Sequence, residues 1–270
     1  SFASPGQIVH KVNSMVPGTS CPNSDIASSI KQLCEQNKLT LERKLGESSA
    51  VYDPWVEDME VFCAQELVNR LAVESGIDRD VAEKEVRKWS SGRSMSLTDT
   101  QVKAAVDSIV ESVSILTGLP GTGKTTTLQA VVSVMKDLSV PYLLVAPTGI
   151  AAKRMANVTG SGASTIHRAF SAKGFSTEDR GHSYVGITSS SSSKESSNTK
   201  DQVWEFGPDN PHPADVIIVD ESSMVDLHML YRILMGTKKD CRVVMVGDPY
   251  QLPSVGAGDG LRSLFKSGGF

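Results

Sequence analysis

The stretch GLPGTGKT, from Gly118 to Thr125, constrains this chain more than any other. It fits the pattern G-x-x-x-x-G-K-[ST] in full, with VSILT ahead of it reading as a strand and GKTTTLQAVVSVMKD after it reading as a helix. Glycines let the backbone curl so that successive N–H groups point inward at phosphate oxygens. The start of the helix adds a positive dipole end. Lys124 can bring a mobile cation to the outer phosphates, and the Thr125 hydroxyl can join a Mg²⁺ shell. The candidate nucleotide-binding residues are therefore Gly118, Leu119, Pro120, Gly121, Thr122, Gly123, Lys124, Thr125 and Thr126, with ATP and Mg²⁺ as the expected ligands.

A second stretch supplies the acids. In VIIVDESS, four apolar residues form a buried strand whose end presents Asp220. Such an acid can hold Mg²⁺ through its water shell. Glu221 beside it can orient and deprotonate an attacking water, which suits hydrolysis better than transfer to a second substrate. A third stretch, VVMVGDPYQLPS, ends another apolar strand in Asp248, Tyr250, Gln251 and Pro253. The strand delivers Gln251 to the edge where ligands of open α/β sheets bind. Gln101, in LTDTQ, has two readings. It can close a capping box with Thr98 at a helix start, or it can contact adenine.

From Leu97 onward apolar strands alternate with helical patterns, so the fold class is α/β, a parallel sheet with flanking helices. Before that the pattern is mostly helical. Helix SDIASSIKQLCEQ, with Ser24 or Asp25 as starter, precedes a hairpin setting Leu39 and Leu41 against Val51 and Tyr52, which suggests a winged-helix-like unit. The expected domains are a helical accessory domain at 1–95 and an ATPase domain at 96–270. A Ser-rich hairpin insertion is expected at about 171–213, with SYVGIT and QVWEF as its strands and SSSSSKESSNTKD as a mobile tip. Trp204 at its base can stack on a nucleobase or anchor the hairpin, and anchoring is the expected role.

Composition narrows the partners. With 39% hydrophobic and 21% charged residues, this is an ordinary globular chain without a membrane-spanning run. Its net charge of −4 excludes a sequence-blind basic coat, so any nucleic acid must be held by a local groove. The four cysteines are scattered without a C-x-x-C, which points to an intracellular, reducing compartment and away from zinc or disulfides.

Taken together, LTDTQ, TGLPGTGKTTT, APTGIAAKRM with ASTIHR, ADVIIVDESSMVD and VGDPYQLPSVGAGDGL resemble the RecD-like branch of superfamily 1 DNA helicases, in order and spacing, over residues 97–270. The resemblance implies a RecA-like P-loop NTPase fold and a 5′-to-3′ DNA helicase activity. It makes Gln101 an adenine contact, a role compatible with the cap. Lys124, Glu221 and Gln251 become catalytic residues: phosphate ligand, base and γ-phosphate sensor. Thr125 and Asp220 hold Mg²⁺. Pro147, Thr148 and Gly149 grip single-stranded DNA, followed by Thr165 and His167, while His167 also suits a packed or capping role. For Lys153, Arg154 and Arg168, a solvated helix face and phosphate contact are equally open.

Such helicases carry a second RecA-like domain that supplies an arginine to the transferring phosphoryl group. No such half follows in these 270 residues, so the sequence predicts weak ATP–Mg²⁺ binding, slow hydrolysis and no unwinding by this chain alone. Two other readings compete. One is a non-translocating nucleotide-binding or docking module whose N-terminal domain meets a protein partner. The other is a small-molecule kinase, which the Asp220–Glu221 pair and the Gln251 motif argue against.

Overall fold

The computed structural model describes residues 3–15, 21–42, 50–93, 96–119, 121–171, 204–251 and 253–268. The chain divides into two compact units, Ser1–Phe62 and Cys63–Phe270. The division falls inside a helix rather than at the expected 95/96 boundary.

The first unit opens with helices α1 (Pro5–Met15) and α2 (Asn23–Glu35), then strands β1 (Thr40–Glu42) and β2 (Ala50–Tyr52). The start of α2 differs from expectation. Pro22 is its N-cap, and the Pro22 carbonyl accepts from the Asp25 N–H at 3.0 Å, so neither Ser24 nor Asp25 caps it. Ile26 and Ile30, one turn apart, are buried with Val51 in a small apolar cluster that Leu39 joins. The strands pair antiparallel with Leu41 opposite Val51, but Leu41 is exposed while Val51 is buried. Only Leu39 of the two expected leucines therefore packs into this cluster.

Helix α3 (Pro54–Leu71) crosses the division. The second unit then runs α4 (Arg79–Ser91), α5 (Asp99–Val110), β3 (Val113–Thr117), α6 (Lys124–Asp137), β4 (Tyr142–Ala146), α7 (Gly149–Thr159), β5 (Ala163–Thr165) and α8 (Ile166–Phe170). It continues with β6 (Val216–Val219), a 3-10 turn at Ser222–Met224, α9 (Leu227–Gly236), β7 (Arg242–Gly247) and α10 (Gly260–Ser267). Helix α4, assigned to the accessory domain by its sequence, belongs to this unit because its fully buried Ala82 and Val86 join the core that α5 and α6 build.

Five parallel strands form the sheet in the order β3-β7-β6-β4-β5. Ile218 and Val244 pack into the core with α5 and α6 residues, and Ile217 and Val243, which alternate to the opposite face, are equally buried. Burial on both faces is what the unbroken apolar runs VIIV and VVMV require. Arg70, in the last turn of α3, is fully buried and donates to Cys241 O at 2.6 Å, Leu234 O at 3.3 Å and Thr237 Oγ1 at 2.9 Å. Its guanidinium fork thereby ties the end of α9 to the start of β7.

At the base of the expected insertion, Ser171 and Trp204 form an antiparallel bridge, and Glu205 N–H donates to Phe170 O at 2.9 Å. Arg232 lies 4.7 Å over the Trp204 ring, and the His167 ring is 6.0 Å away. Trp204 is held between α8 and α9, which is the anchoring role. The SYVGIT strand and the Ser-rich tip lie outside the described residues.

Candidate nucleotide site

Sheet register decides which sequence motifs meet. Thr117 pairs with Gly247, Val219 with Met245, and Val145 with Val219, so the strands end nearly level. The loops carrying Gly118, Asp248 and Asp220 therefore leave three adjacent strands, β3, β7 and β6, at their C-terminal ends. The two remaining strands, β4 and β5, lead into Pro147 and α8.

The phosphate loop has the backbone its glycines allow. Gly121 and Gly123 sit at φ 81° and 86°, in the left-handed region, and Gly123 is the N-cap of α6. Thr122 folds the loop on itself, its hydroxyl donating to Leu119 O at 2.7 Å. The Lys124 amine donates to Gly118 O and, at 3.1 Å, to Leu119 O. Thr125 and Thr126 stand in the first turn of α6, with Thr125 exposed. Pro120 lies outside the described residues.

The acids stand across from this loop's strand. Asp220 extends β6 by one bond, its N–H donating to Val145 O at 2.9 Å, and its carboxylate accepts from Glu221 N–H at 2.9 Å. Burial pushes the Asp220 carboxyl above the ordinary range, and the Glu221 charge adds to this, while that backbone hydrogen bond and the Arg154 and Lys124 charges oppose it. Glu221 has φ 51°, a left-handed conformation unusual for a residue with a side chain. Its carboxylate lies 3.5 Å from Arg154 Nη1 of α7.

Gln251 is exposed just beyond β7. The buried Asp248 ahead of it is structural: its carboxylate accepts from Tyr250 N–H at 2.9 Å and its carbonyl accepts from Gln251 N–H at 3.1 Å. That turn explains why the strand ends in an acid. At the other edge, Thr148 and Thr165 serve as helix caps, accepting from Ala151 N–H and Arg168 N–H at 3.2 Å each. Pro147 and Gly149 flank the first of these caps. His167 is half-buried against Trp204, and burial pushes its pKa below the ordinary value.

Gln101 closes the capping box of α5, with Thr98 N–H donating to its Oε1 at 2.9 Å and Thr98 Oγ1 accepting from its N–H at 3.3 Å. The sequence did not suggest its other bond, from Nε2 to Thr122 O at 3.0 Å. Nor did it pair Arg154 with Glu221, since α7 and β6 lie far apart in the chain. A basic residue on the helix after APTG was the available signal.

These residues fit a nucleotide with Mg²⁺. The loop supplies turned backbone and a lysine, and Thr125 and Asp220 supply oxygen donors. Among the described residues, no group of three or more His, Cys, Asp or Glu could hold a metal ion. A sparse oxygen donor set suits Mg²⁺, which keeps waters and shares phosphate oxygens rather than filling a protein cage.

The family model described as an AAA domain, AAA_19, matches residues 101–257. The chain belongs to that family. Within it, the chain is a RecD-like superfamily 1 helicase homologue. The ATP-dependent RecD2 DNA helicase of Deinococcus radiodurans is 35% identical over 153 residues, covering 57% of this chain and 18% of the relative. The RecBCD enzyme subunit RecD of Haemophilus influenzae is 35% identical over 177 residues, covering 62% of this chain and 26% of the relative. This RecD-like chain thus spans about a quarter or less of the length of these relatives. A solved structure concerning DNA unwinding at forked DNA by two coordinating Pif1 helicases aligns at 24% identity with a TM-score of 0.37, covering 64% of this chain and 38% of that one. No helix among the described residues is long and apolar enough to cross a membrane.

Proposed function

We propose that this RecD-like chain contributes the nucleotide-hydrolysing half of an ATP-dependent, 5′-to-3′ DNA helicase. Residues 96–270, with α4 packed into their core, are its first RecA-like domain, and the first unit is an accessory region open to a protein partner. The observation that carries this reading is the register bringing the phosphate loop, Asp220–Glu221 and Gln251 to the ends of three adjacent strands.

In this reading Gly118–Thr126 and the α6 N-terminus bind the phosphates, and Lys124 exchanges its carbonyl partners for phosphate oxygens. Thr125 and Asp220 hold Mg²⁺, which neutralises charge on the phosphates. Glu221 takes the proton of the attacking water, and Arg154 keeps its carboxylate turned toward α7. Gln251 hydrogen-bonds the γ-phosphate without adding a cation that would hold product. Gln101 faces the base. Single-stranded DNA lies along the β4 and β5 exits, at Pro147, Thr148, Gly149, Thr165 and His167. The two caps fix the backbone there and use only the acceptor side of each threonine hydroxyl, so its O–H can still donate to a DNA phosphate.

The test is binding of a fluorescent ATP analogue with Mg²⁺, and ATP hydrolysis with and without oligo-dT. Affinity lost in Lys124→Ala, together with slow turnover, is the expected result. Hydrolysis that is fast without DNA, or nucleotide binding indifferent to Lys124→Ala, overturns the reading.

A further inference from the structure

The Gln101 side chain does two things at once in this fold. Its Oε1 accepts from Thr98 N–H at 2.9 Å, which locks the amide into the α5 capping box. Its Nε2 donates to Thr122 O at 3.0 Å, inside the phosphate loop. We infer that Gln101 is a positioning residue for the phosphate loop, whatever base the nucleotide carries. This rests on the nucleotide-site reading above.

The physical link is the Thr122–Gly123 peptide. A trans peptide is planar, with its C=O and N–H pointing in opposite directions. Holding Thr122 O toward Gln101 therefore aims Gly123 N–H the other way, away from Gln101. Gly123 must be glycine for the same reason. Its φ is 86°, and a Cβ there would lie 2.3 Å from Gln101 Nε2. The cap makes the brace stiff: Gln101 does not reach the loop from a free rotamer but from a side chain already pinned at its other end.

The chemistry also separates this role from base recognition. A glutamine amide offers two N–H donors and two acceptor lone pairs. One of each is spent on Thr122 O and Thr98 N–H. One donor and one lone pair remain, so bracing the loop and meeting a base use different halves of the same group.

The experiment compares binding of tripolyphosphate, ATP and GTP, each with Mg²⁺, by calorimetry for wild type, Gln101→Ala, Gln101→Glu and Lys124→Ala. Gln101→Glu keeps the cap acceptor but cannot donate to Thr122 O. Both Gln101 variants are expected to weaken tripolyphosphate by about tenfold, the loss of one hydrogen bond, and to weaken ATP and GTP at least as much. A loss confined to ATP, with tripolyphosphate unchanged, overturns the inference and leaves base reading alone. Absence of any Lys124-dependent binding in wild type overturns the nucleotide-site reading instead. Hydrogen exchange of the ligand-free protein then decides the brace by itself. Gln101→Glu should speed exchange at the Thr122 and Thr127 amides, which donate to Leu119 O and Gly123 O, while sparing α5. Unchanged exchange at those amides overturns it.

Discussion

Arg154 Nη1 lies 3.5 Å from Glu221 Oε1, joining the second turn of α7 to the acid pair at the end of β6. The pair is mostly solvent-exposed on the arginine side, so its worth to stability is small. Its consequence is directional. Helix α7 begins at the proposed DNA edge, and Arg154 holds the proposed base from that same helix. Arg154→Ala should change the urea-unfolding free energy by less than about 1 kcal/mol. It should lower ATP hydrolysis by about tenfold with unchanged nucleotide affinity, and Arg154→Lys should recover part of the rate. Equal losses in binding and turnover would assign Arg154 to the phosphates instead.

Glu221→Gln should remove hydrolysis by about a hundredfold or more and leave ATP–Mg²⁺ binding intact. Lys124→Ala should lose both. Normal turnover in Glu221→Gln would move the base elsewhere.

Glu221 holds a left-handed backbone, at φ 51°. For a residue with a Cβ this costs about 1–2 kcal/mol, which glycine does not incur. Glu221→Gly should therefore be more stable than Glu221→Ala by about 1 kcal/mol in urea unfolding, although both lack the carboxylate. Equal stability would show that the conformation is not strained.

Arg70 is fully buried among carbonyls that have no water to turn to. Arg70→Met should destabilise the Cys63–Phe270 unit by about 3 kcal/mol, since it orphans those acceptors and leaves Glu66 without its partner. Arg70→Lys should fall between, having charge but no fork. A loss below about 1 kcal/mol in chemical denaturation would contradict the fastening role.

Burial holds the pKa values of His167, His212 and His228 below the ordinary histidine value. Groups depressed in the native state add stability that is present above the unfolded value of about 6.5 and is lost as pH falls through the native values. Asp220, raised by burial, acts with the opposite sign, in a more acidic window. The melting temperature should therefore fall between pH 7.5 and pH 5, and His167→Gln should make that fall shallower. A melting temperature flat across this range would show that the histidines titrate alike in both states.

Much of the site could be read in the chain because its signals are local. The glycines of GLPGTGKT dictate a turned loop wherever they fold, and Gly121 and Gly123 adopt that backbone. The apolar runs VIIV and VVMV demand burial on both faces and became the central strands. The Thr98–Gln101 spacing dictates a capping box, and one formed. Tertiary structure alone decided the rest. Register set Gln251, Asp220 and the phosphate loop at the ends of neighbouring strands, through pairing of β3 with β7 across 130 positions of the chain and of β6 with β7 across 26. Packing of Ala82 and Val86 moved α4 into the Cys63–Phe270 unit, which amphipathic spacing cannot foresee because it names a buried face without naming its partner. The contacts of Arg154 with Glu221 and of Gln101 with Thr122 are of the same kind. Side-chain chemistry allowed each of them, and only the folded sheet brought the partners within reach.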